Sequence, residues 1–427
     1  MLRKQMNILV VGGGGREHAL VRKLLQSEKT GKLYCIPGNA GIANEAICPR
    51  SDLKTTDMKQ IVAFAVENKI DFAVVAPDDP LVLGMVDAFQ EKGIPAFGPN
   101  KLAAAIEGSK VFSKGLMKKY GIPTAKYNAF TDMREAERHI RDSGTYPVVI
   151  KADGLALGKG VVIAEDFTSA KAAIRSMMEE KIFGESGSEI VVEEFLEGPE
   201  VTVLAFCDGK TIVPMASSMD HKRAFDGNLG PNTGGMGVIA PNPHYTPEIA
   251  NLCMKTIFLP TVEAMSRENR PFKGCLYFGL ILTPDGPKVI EYNCRFGDPE
   301  AQAVLALLDT DLLEIMLAVT GEKLNTLTVK WKDGAAACIV AASGGYPGKY
   351  RVGHAISGLK PDGQLDGALV HHAGTKHTGD GFVTSAGRVL GVTAQAKTLQ
   401  EALDEAYKAI GKIRFEGMFY RTDIGKY

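Results

Sequence analysis

The chain has 427 residues, of which 45% are hydrophobic and 23% charged, and its formal net charge is −1. This balanced charge lacks the basic footprint of a nucleic-acid-binding or membrane-surface protein, so we expect no nucleic-acid or membrane partner. The seven cysteines are scattered and form no C-x-x-C pair. That pattern argues against a disulfide framework or zinc site and indicates a cytoplasmic protein. The length predicts about three domains, because a single core rarely organises so long a chain.

The N-terminal region alternates strand and helix patterns. Apolar segments at 7–11, 32–36, 72–76 and 95–97 are typical of buried parallel strands. Helical patterns separate them: one reaches about residue 27, one begins after Asp57, and one continues through Lys92. The pattern predicts a doubly wound, Rossmann-like α/β substrate domain at residues 1–102.

The middle and the end of the chain follow different patterns. A helical stretch containing Ser109-Lys110 ends at Gly121-Ile-Pro123, and a compact unit follows at about 122–192, with strands at 147–151, 161–165 and 190–194. Its glycine-rich edge predicts a mobile lid within a region spanning 103–330, which has further strands near 201–207, 211–215, 275–283 and 287–292. Strands at 335–341, 369–373 and 387–392 and a helix from Thr398 to about Lys412 predict a small mixed α/β domain at 331–427. The predicted class is α/β and α+β multidomain.

A run of four glycines, Gly12 to Gly15, lies between the first strand and helix. Backbone N–H groups and the helix dipole converge at such a turn and favour an anion. A dinucleotide site would require a third glycine where Glu17 stands and an acid at the end of the second strand, which instead ends Cys35-Ile-Pro37. We therefore predict that Gly13, Gly14 and Gly15 form a loop for phosphate or a polar substrate. A purely structural turn is the alternative.

A second glycine-rich loop lies at the edge of the compact unit. A strand ends at Lys151, and Gly154, Gly158, Lys159 and Gly160 follow before the next strand. Glycines let backbone N–H groups approach phosphate oxygens, and lysine adds positive charge. The loop is not a Walker A motif, because Gly160 stands where Ser or Thr is required. A phosphate-binding loop is predicted, with a plain hairpin as the alternative.

Two acids, Glu193 and Glu194, end an apolar strand. Acids in that position are usually solvated. In a nucleotide cleft, the same segment offers a carboxylate and backbone groups to the edge of adenine.

The segment Glu291-Tyr-Asn293-Cys-Arg295 places a carboxylate, an amide and a guanidinium on one face of a strand. Burying these groups without partners is costly. They suit a site where Mg²⁺ lies between protein oxygens and a triphosphate, with the arginine facing phosphate charge. A surface strand with a salt bridge is the alternative.

Together these features resemble the ATP-grasp superfamily in order and spacing, and more narrowly the phosphoribosylamine–glycine ligase family. The segments that carry the narrower resemblance run along nearly the whole chain: 13–20, 37–41, 108–110, 151–156, 220–223, 230–237, 291–300, 344–348 and 372–375. The resemblance implies ATP-dependent ligation of glycine to 5-phosphoribosylamine through a glycyl phosphate, giving glycinamide ribonucleotide for purine biosynthesis. We expect a cytoplasmic monomer.

The resemblance also implies roles for individual residues. ATP phosphates would contact Lys110, Lys151 and the loop Gly154, Gly158, Lys159 and Gly160; adenine and ribose would contact Glu193, Glu194, Leu196 and Glu200. Mg²⁺ or Mn²⁺ would be held by Glu291 and Asn293, with Arg295 facing the transferring phosphoryl group. The catalytic set would also include Asp220, Lys222 and Asp298, and the substrates would contact Gly13, Gly14, Gly15, Asn232, Thr233 and Gly297.

Two departures from the family pattern stand out. The strand 275–283 contains no second metal-binding acid of the kind found in biotin carboxylase-like enzymes, and Gly279 lies in its place. Ala76, Asp78 and Asp79 replace expected glycine and glutamate.

The alternative functions are another ATP-grasp carboxylate–amine ligase, or a non-catalytic nucleotide-binding regulator. The general base stays open among Asp220, Asp298 and His221; among the other histidines, His372 is interpreted as structural, and a packing role explains His18 equally well.

Overall fold

The computed structural model describes residues 5–155, 160–379 and 381–426. The N-terminal region is a parallel sheet of order β2-β1-β3-β4 with helices between its strands. Its elements are β1 (Met6–Gly12), α1 (Gly15–Leu24), β2 (Thr30–Pro37), α2 (Met58–Glu67), β3 (Phe72–Val75), α3 (Asp78–Leu83), α4 (Met85–Gln90) and β4 (Ala96–Phe97). The predicted α/β unit is confirmed. The helix predicted through Lys92 is interrupted, because Gly84 has φ of 98° and separates α3 from α4.

Two helices connect this sheet to the compact unit, α5 (Lys101–Gly108) and α6 (Lys110–Tyr120). The sequence predicted a continuous helical stretch here, and that prediction was wrong at Ser109. This residue is extended, and its hydroxyl accepts a hydrogen bond from the Phe112 N–H, so it caps a new helix. The break puts Lys110 in the first turn of α6. Gly121, with φ of 67°, ends that helix.

The compact unit is an antiparallel sheet of order β5-β8-β6-β7, covered by two helices and holding its own hydrophobic core. Its elements are β5 (Tyr127–Phe130), α7 (Met133–Ser143), β6 (Val148–Ala152), β7 (Val161–Ala164), α8 (Phe167–Met178) and β8 (Ile190–Glu194). The sequence predicted β6, β7 and β8 but not β5 or α7. Strand β5 has no fully buried residue, and only Ala136 and Ile140 of α7 are fully buried, so neither has a clear apolar pattern.

The next region is built on a sheet of order β10-β9-β15-β16. Its elements, with the short strands that leave it, are β9 (Glu200–Asp208), β10 (Ile212–Pro214), β11 (Met219–Asp220), β12 (Arg223–Phe225), β13 (Leu229–Asn232), β14 (Gly237–Ala240), α9 (Pro247–Cys253), α10 (Leu259–Arg267), β15 (Lys273–Thr283), β16 (Gly286–Asn293), α11 (Glu300–Val304) and α12 (Leu312–Thr320). The four predicted strands of this sheet are confirmed. Strand β16 carries Glu291 and Asn293, and α11 follows directly after Arg295 and Asp298.

The C-terminal region completes a five-stranded sheet of order β11-β14-β17-β22-β19. Its elements are β17 (Ala335–Ala342), β18 (Ala355–Ile356), β19 (Leu369–His372), β20 (Thr375–Thr378), β21 (Gly381–Thr384), β22 (Arg388–Ala396) and α13 (Leu399–Ile410), and Thr398 caps α13. Strands β11 and β14 enter this sheet from the middle of the chain. They carry the 219–240 segment, with its candidate substrate residues, to the C-terminal strands.

None of the helices in the described ranges combines the length and apolar character needed to traverse a lipid bilayer.

Candidate active site

A lysine–glutamate–lysine cluster lies where the compact unit meets α6. Lys151 at the end of β6 and Lys114 on α6 each place Nζ 3.0 Å from a carboxylate oxygen of Glu193 on β8. All three side chains are at most 4% exposed. Burial lowers the pKa of Lys114 to about 8, although the Glu193 carboxylate opposes that shift. The sequence pattern predicted Lys151 and Glu193 for this site but not Lys114. Lys114 lies four residues after Lys110 on α6, a spacing that puts both lysines on the same face of the helix.

Lys151 also joins the compact unit to strand β16. Its Nζ donates to the carbonyl oxygen of Ile290 at 3.1 Å, next to Glu291. Burial alone would raise the pKa of the Glu291 carboxyl, but Lys222, Lys151 and Lys110, with Arg295, outweigh it and hold the pKa below its usual range. The structure therefore brings the predicted phosphate-binding lysines and the predicted metal carboxylate into one cleft.

The glycine-rich loop after Lys151 is described in part. Lys110 Nζ donates to the Gly154 carbonyl at 3.1 Å, so the first helical turn of α6 holds the start of the loop. A Cβ added at Gly154 would lie 2.2 Å from Ser186 Oγ, which explains why glycine is required there. Gly160 accepts a hydrogen bond from the Ala152 N–H at 2.9 Å. Gly158 and Lys159 lie outside the described residues, and their roles stay predictions.

The candidate adenine and ribose residues follow β8. The Glu194 carboxylate accepts a hydrogen bond from the Lys126 N–H at 2.9 Å, so one of its oxygens is engaged within the protein. The backbone groups of Leu196 stay candidates for contact with adenine. Glu200 is exposed, and its carboxylate lies 3.3 Å from Lys222 Nζ. That contact places Glu200 between the nucleotide residues and the candidate substrate residues.

Two oxygen-bearing side chains, those of Glu291 and Asn293, are the candidate metal ligands. Asn293 Oδ1 accepts from Arg295 Nη2 at 3.2 Å, which leaves its second lone pair available. Among the described residues no cluster of three or more His, Cys, Asp or Glu side chains could hold a metal ion. Because cations surround Glu291, this donor set fits a metal that arrives with triphosphate oxygens better than a free divalent ion.

Arg295 lies among acids behind the metal candidates. Its guanidinium is 3.5 Å from Glu107 and 3.6 Å from Asp78, and its buried Nε has no hydrogen-bond partner among the described residues. Burial raises the pKa of Glu107, whereas Arg295 and Arg16 hold the pKa of Asp78 below its usual range despite burial. Asp78, a departure from the family pattern in the sequence, thus contacts the predicted catalytic arginine.

Asp220 and Lys222 lie at the junction of β11 and the β12–β13 hairpin. The Asp220 Oδ1 atom is buried without a hydrogen-bond partner in the described part of the chain. Burial and the Glu300 carboxylate raise its pKa well above the usual range, against Lys222 and Arg388. Thr233 donates through both its N–H and its hydroxyl to the Lys222 carbonyl, each at 2.8 Å.

Two further candidate substrate residues bound the same junction. Asn232 ends β13 and pairs with Arg223 across the hairpin. A Cβ added at Gly297 would lie 2.3 Å from Glu300 Oε2, so the absence of a side chain there admits that buried carboxylate. Both residues therefore lie within the segments that converge on Asp220.

Asp298 connects the glycine run to the C-terminal sheet. Its carboxylate accepts from Gln302 Nε2 at 2.7 Å and lies 3.1 Å from Arg388. Burial would raise the Asp298 pKa, but Arg388 and Arg16 lower it below the usual range. Arg388 also donates to the Asp298 carbonyl at 2.7 Å. No local pattern predicts Arg388, which reaches this place because it begins β22.

The glycine run reaches the same place from the N-terminal sheet. A Cβ added at Gly14 would lie 3.4 Å from an Asp298 carboxylate oxygen, and one at Gly15 would lie 3.6 Å from the other. The Gly14 N–H already donates to the Glu17 carboxylate at 2.5 Å. A Cβ added at Gly13 would lie 2.5 Å from the Gly38 carbonyl oxygen, so there is no room for a side chain at Gly13. An anion here would rely on the other N–H groups of the turn.

Comparison with known proteins decides the family. Profiles of phosphoribosylglycinamide synthetase match residues 6–107 as its N domain, 108–301 as its ATP-grasp (A) domain and 336–427 as its C domain. The chain belongs to the phosphoribosylglycinamide synthetase family. It is therefore an ATP-grasp ligase, a family that uses ATP and a divalent metal.

Relatives of this family are similar over their whole length. The phosphoribosylamine–glycine ligase of Caldanaerobacter subterraneus subsp. tengcongensis is 49% identical over 419 residues, covering 98% of this chain and 99% of the relative. The crystal structure of the Thermotoga maritima phosphoribosylamine–glycine ligase has a TM-score of 0.83 at 31% identity, covering 98% of this chain and 99% of that one. The biotin carboxylase domain of Hydrogenobacter thermophilus 2-oxoglutarate carboxylase shares the fold, with a TM-score of 0.74 at 18% identity, covering 97% of this chain and 92% of that one.

The three histidines considered from the sequence, His18, His221 and His372, are all buried in this family member. Both ring nitrogens of His221 contact backbone groups. Its Nδ1 lies 3.3 Å from the Gly237 carbonyl oxygen, and its Nε2 accepts a hydrogen bond from the Gly425 N–H at 3.1 Å. Burial lowers its pKa to about 4. It therefore has no nitrogen left to act as the general base for which it was a candidate. His372 and His18 are fully buried, and the His372 N–H donates to His18 Nδ1 at 2.8 Å, in agreement with structural roles.

Proposed function

We propose that this chain ligates glycine to 5-phosphoribosylamine with ATP, giving glycinamide ribonucleotide, ADP and phosphate, as a cytoplasmic monomer. The observation that supports this most directly is the cleft in which Lys110, Lys151, Lys222 and Arg295 all act on the Glu291 carboxylate. Four cations around one acid form a site for a polyphosphate and a carboxylate substrate together. Family membership supports the choice of glycine and the amino sugar.

The chemistry needs activation of a carboxylate. In the proposed first step a glycine carboxylate oxygen attacks the γ-phosphorus of ATP, the bond to the ADP oxygen breaks, and glycyl phosphate forms. In the second step the amine of phosphoribosylamine attacks the carbonyl carbon, phosphate leaves and the amine loses a proton. Positioning and charge neutralisation carry most of such a reaction, so no nucleophilic side chain is required.

Individual residues take roles that their contacts support. Lys110 and Lys151 would neutralise ATP phosphates, together with the loop of Gly154, Gly158, Lys159 and Gly160, while Arg295 would face the transferred phosphoryl group. Glu193, Glu194, Leu196 and Glu200 would bind adenine and ribose. Gly13, Gly14, Gly15, Asn232, Thr233 and Gly297 would surround the substrates, and Lys222 would face the glycine carboxylate.

Glu291 and Asn293 would hold Mg²⁺ or Mn²⁺. A bound divalent ion supplies positive charge to the triphosphate and polarises its oxygens. Only two protein oxygens are needed, because phosphates and water complete the shell of a metal of this kind.

Asp220 and Asp298 differ in what they can do. Asp220 has a buried oxygen without a hydrogen-bond partner among the described residues, and its raised pKa makes the carboxylate a better proton acceptor. Both Asp298 oxygens are engaged, one by Gln302 and one by Arg388, and its pKa is lowered. We therefore assign proton acceptance to Asp220 and positioning of the glycine run to Asp298.

The compact unit at about 122–192 is proposed as a lid over this chemistry, between an N-terminal domain at 1–102 and a C-terminal domain at 331–427. It has its own hydrophobic core, and Gly121 and Gly198, with φ of 67° and 150°, flank it. Both the acyl phosphate and the amino sugar react with water, so a closing unit would protect them.

The test is ADP release measured with glycine, with freshly generated phosphoribosylamine, and with both. Release that requires both is the expected result, and in Asp220→Asn it should fall about 100-fold with little change in KM for ATP. Release with formate or bicarbonate replacing glycine would favour another ATP-grasp ligase. Nucleotide binding without release under any condition would favour a regulator.

A further inference from the structure

A second cavity lies away from the cleft, between the N-terminal and C-terminal regions. It has a volume of about 430 Å³ and is walled by α1, α11 and strands β19 and β22. The side chains of Arg22, Lys23, Gln302, His371 and Thr393 line it. The nucleotide candidates Lys110, Lys151 and Glu291 do not, so the cavity is separate from the cleft. Its size is within the range of small-molecule sites in proteins.

The cavity wall is positively charged. Arg22, Lys23 and Lys332 line it, and none of the lining residues in the described part of the chain is an acid. Glu45 lies outside it and pairs with Arg22 Nε at 2.8 Å. Arg22 Nη1 is buried and has no hydrogen-bond partner among the described residues. A buried guanidinium N–H without an acceptor is costly, and an anion in the cavity would provide one.

Lys23 places a second buried cation in the same wall. It is 8% exposed and donates to the Leu308 carbonyl oxygen, which leaves the rest of its ammonium group to the cavity side. Burial, and then repulsion from Lys332, lowers the Lys23 pKa to about 8. The Asp309 and Asp311 carboxylates, which lie outside the lining, oppose that shift, and an anion bound between Lys23 and Lys332 would reduce the repulsion that remains.

The rest of the wall suits a small organic body. Leu305 and Ala306 provide apolar surface, while Gln26, Gln395 and Thr393 provide amide and hydroxyl groups. The Gln302 Oε1 atom is buried and also has no partner in the described ranges. It can accept a hydrogen bond from a ligand hydroxyl or amine. Gln26 and Lys332 are exposed, so the cavity opens to solvent beside them.

We infer that this cavity binds a small phosphate monoester, with the phosphate on Arg22, Lys23 and Lys332 and a hydroxylated or amine-bearing body on the amide wall. Phosphate suits this wall because two lysines and a guanidinium fork match its charge and its several acceptor oxygens. The bound molecule would lie one side chain from the cleft, since Gln302 Nε2 donates to Asp298 at 2.7 Å.

The experiment titrates the intact chain with ribose 5-phosphate by calorimetry and compares two charge reversals, Lys332→Glu and Lys330→Glu. Both lysines are exposed and lie two positions apart, but only Lys332 lines the cavity. Neither belongs to the proposed ligase machinery, so both variants should keep the ligase rate and the binding of ribose 5-phosphate within the cleft. We expect a binding component of the wild-type chain to weaken at least tenfold in Lys332→Glu and to persist in Lys330→Glu.

Two comparison ligands sharpen the result. Uncharged ribose should not bind to the cavity, and inorganic phosphate should bind there more weakly than ribose 5-phosphate. The inference is overturned if Lys332→Glu binds ribose 5-phosphate as the wild type does, or if both reversals weaken binding equally. Inorganic phosphate binding as tightly as the ester would remove the role assigned to the amide wall.

Discussion

Glu291 shows at the residue scale how surrounding charge defines a site. Burial by itself would raise the pKa of this carboxyl, and here three lysines and an arginine hold it below its usual range. The opposite holds for Asp220: its Oδ1 has no hydrogen-bond partner within the described ranges, and burial and then the Glu300 carboxylate raise its pKa. The pKa values of two acids in one cleft thus shift in opposite directions because their charged neighbours differ, which suits one to a metal and the other to accepting a proton.

Replacing Glu291 with glutamine tests the metal assignment. The variant should lose at least about 100-fold in kcat, since removing one preorganised electrostatic contact typically costs that much. Its melting temperature without ligands should stay near the wild-type value, because the amide keeps the shape of the side chain. Full activity would refute the assignment. Glu405→Gln, at an exposed position on α13, is the control and should retain wild-type kinetics.

At the scale of elements, the loop before β14 brings separate parts of the site together. Gly235 has φ of 111°, and a Cβ there would lie 2.4 Å from Pro299 and 2.6 Å from Asp220 Oδ1. The loop therefore packs directly on the segment after β16. Arg388 at the start of β22 donates to the carbonyl oxygens of Gly234 and Gly235, which ties the same loop to the C-terminal sheet.

Two glycine-to-alanine substitutions should have opposite effects. Gly235→Ala should destabilise the fold by about 1–3 kcal/mol and lower kcat, because it combines left-handed strain with close contacts at Asp220. Gly115→Ala lies within α6, where an added Cβ meets nothing within 4 Å. It should stabilise the chain by about 0.5–1 kcal/mol through helix propensity. Denaturant titration with parallel kinetics measures both, and equal stability changes would contradict the packing described.

Buried histidines link the N-terminal and C-terminal regions at the scale of the whole molecule. His18 on α1 contacts His371 and His372 on β19, and His221 holds the C-terminal segment through the Gly425 N–H. Burial lowers the pKa of all four, to about 4 for His221 and about 3 for His372. These residues stay neutral in the folded chain at pH values where the unfolded chain would protonate them.

Stability should consequently fall in mild acid. The folded pKa lies below the unfolded value of about 6.5, so the unfolded state binds more protons as pH drops from 6.5 toward 4. The free energy of unfolding therefore has its full value above about pH 6.5, and the part that depends on neutral histidines is lost as the pH falls from about 6.5 toward 4. His221→Gln should show a shallower fall in melting temperature between pH 7 and 4.5 than the wild type. His377→Gln, at an exposed position, should keep the wild-type slope.

The α/β class of the N-terminal region, the positions of the lysine-bearing loops and the resemblance to the family followed from the sequence alone. Apolar runs and glycine punctuation are local, so β1 to β4, β6 to β9 and β15 to β17 were predictable from neighbouring residues. The sequence also indicated Lys151, Glu193, Glu291 and Arg295, because strand alternation and loop composition place these groups without knowledge of distant contacts.

Only the tertiary structure decided which distant groups meet. The contacts of Lys114 with Glu193 and of Arg388 with Asp298 join elements that are far apart in the chain. The burial of Asp220 Oδ1 and Arg22 Nη1 depends on distant elements in the same way, and no local pattern encodes it. Strand β14, whose residues are all buried, pairs with β17, and β11 joins the same sheet through β14; packing of the whole chain decides this arrangement. Protonation followed the same rule, since burial and charged neighbours set each pKa, and both are properties of the folded molecule.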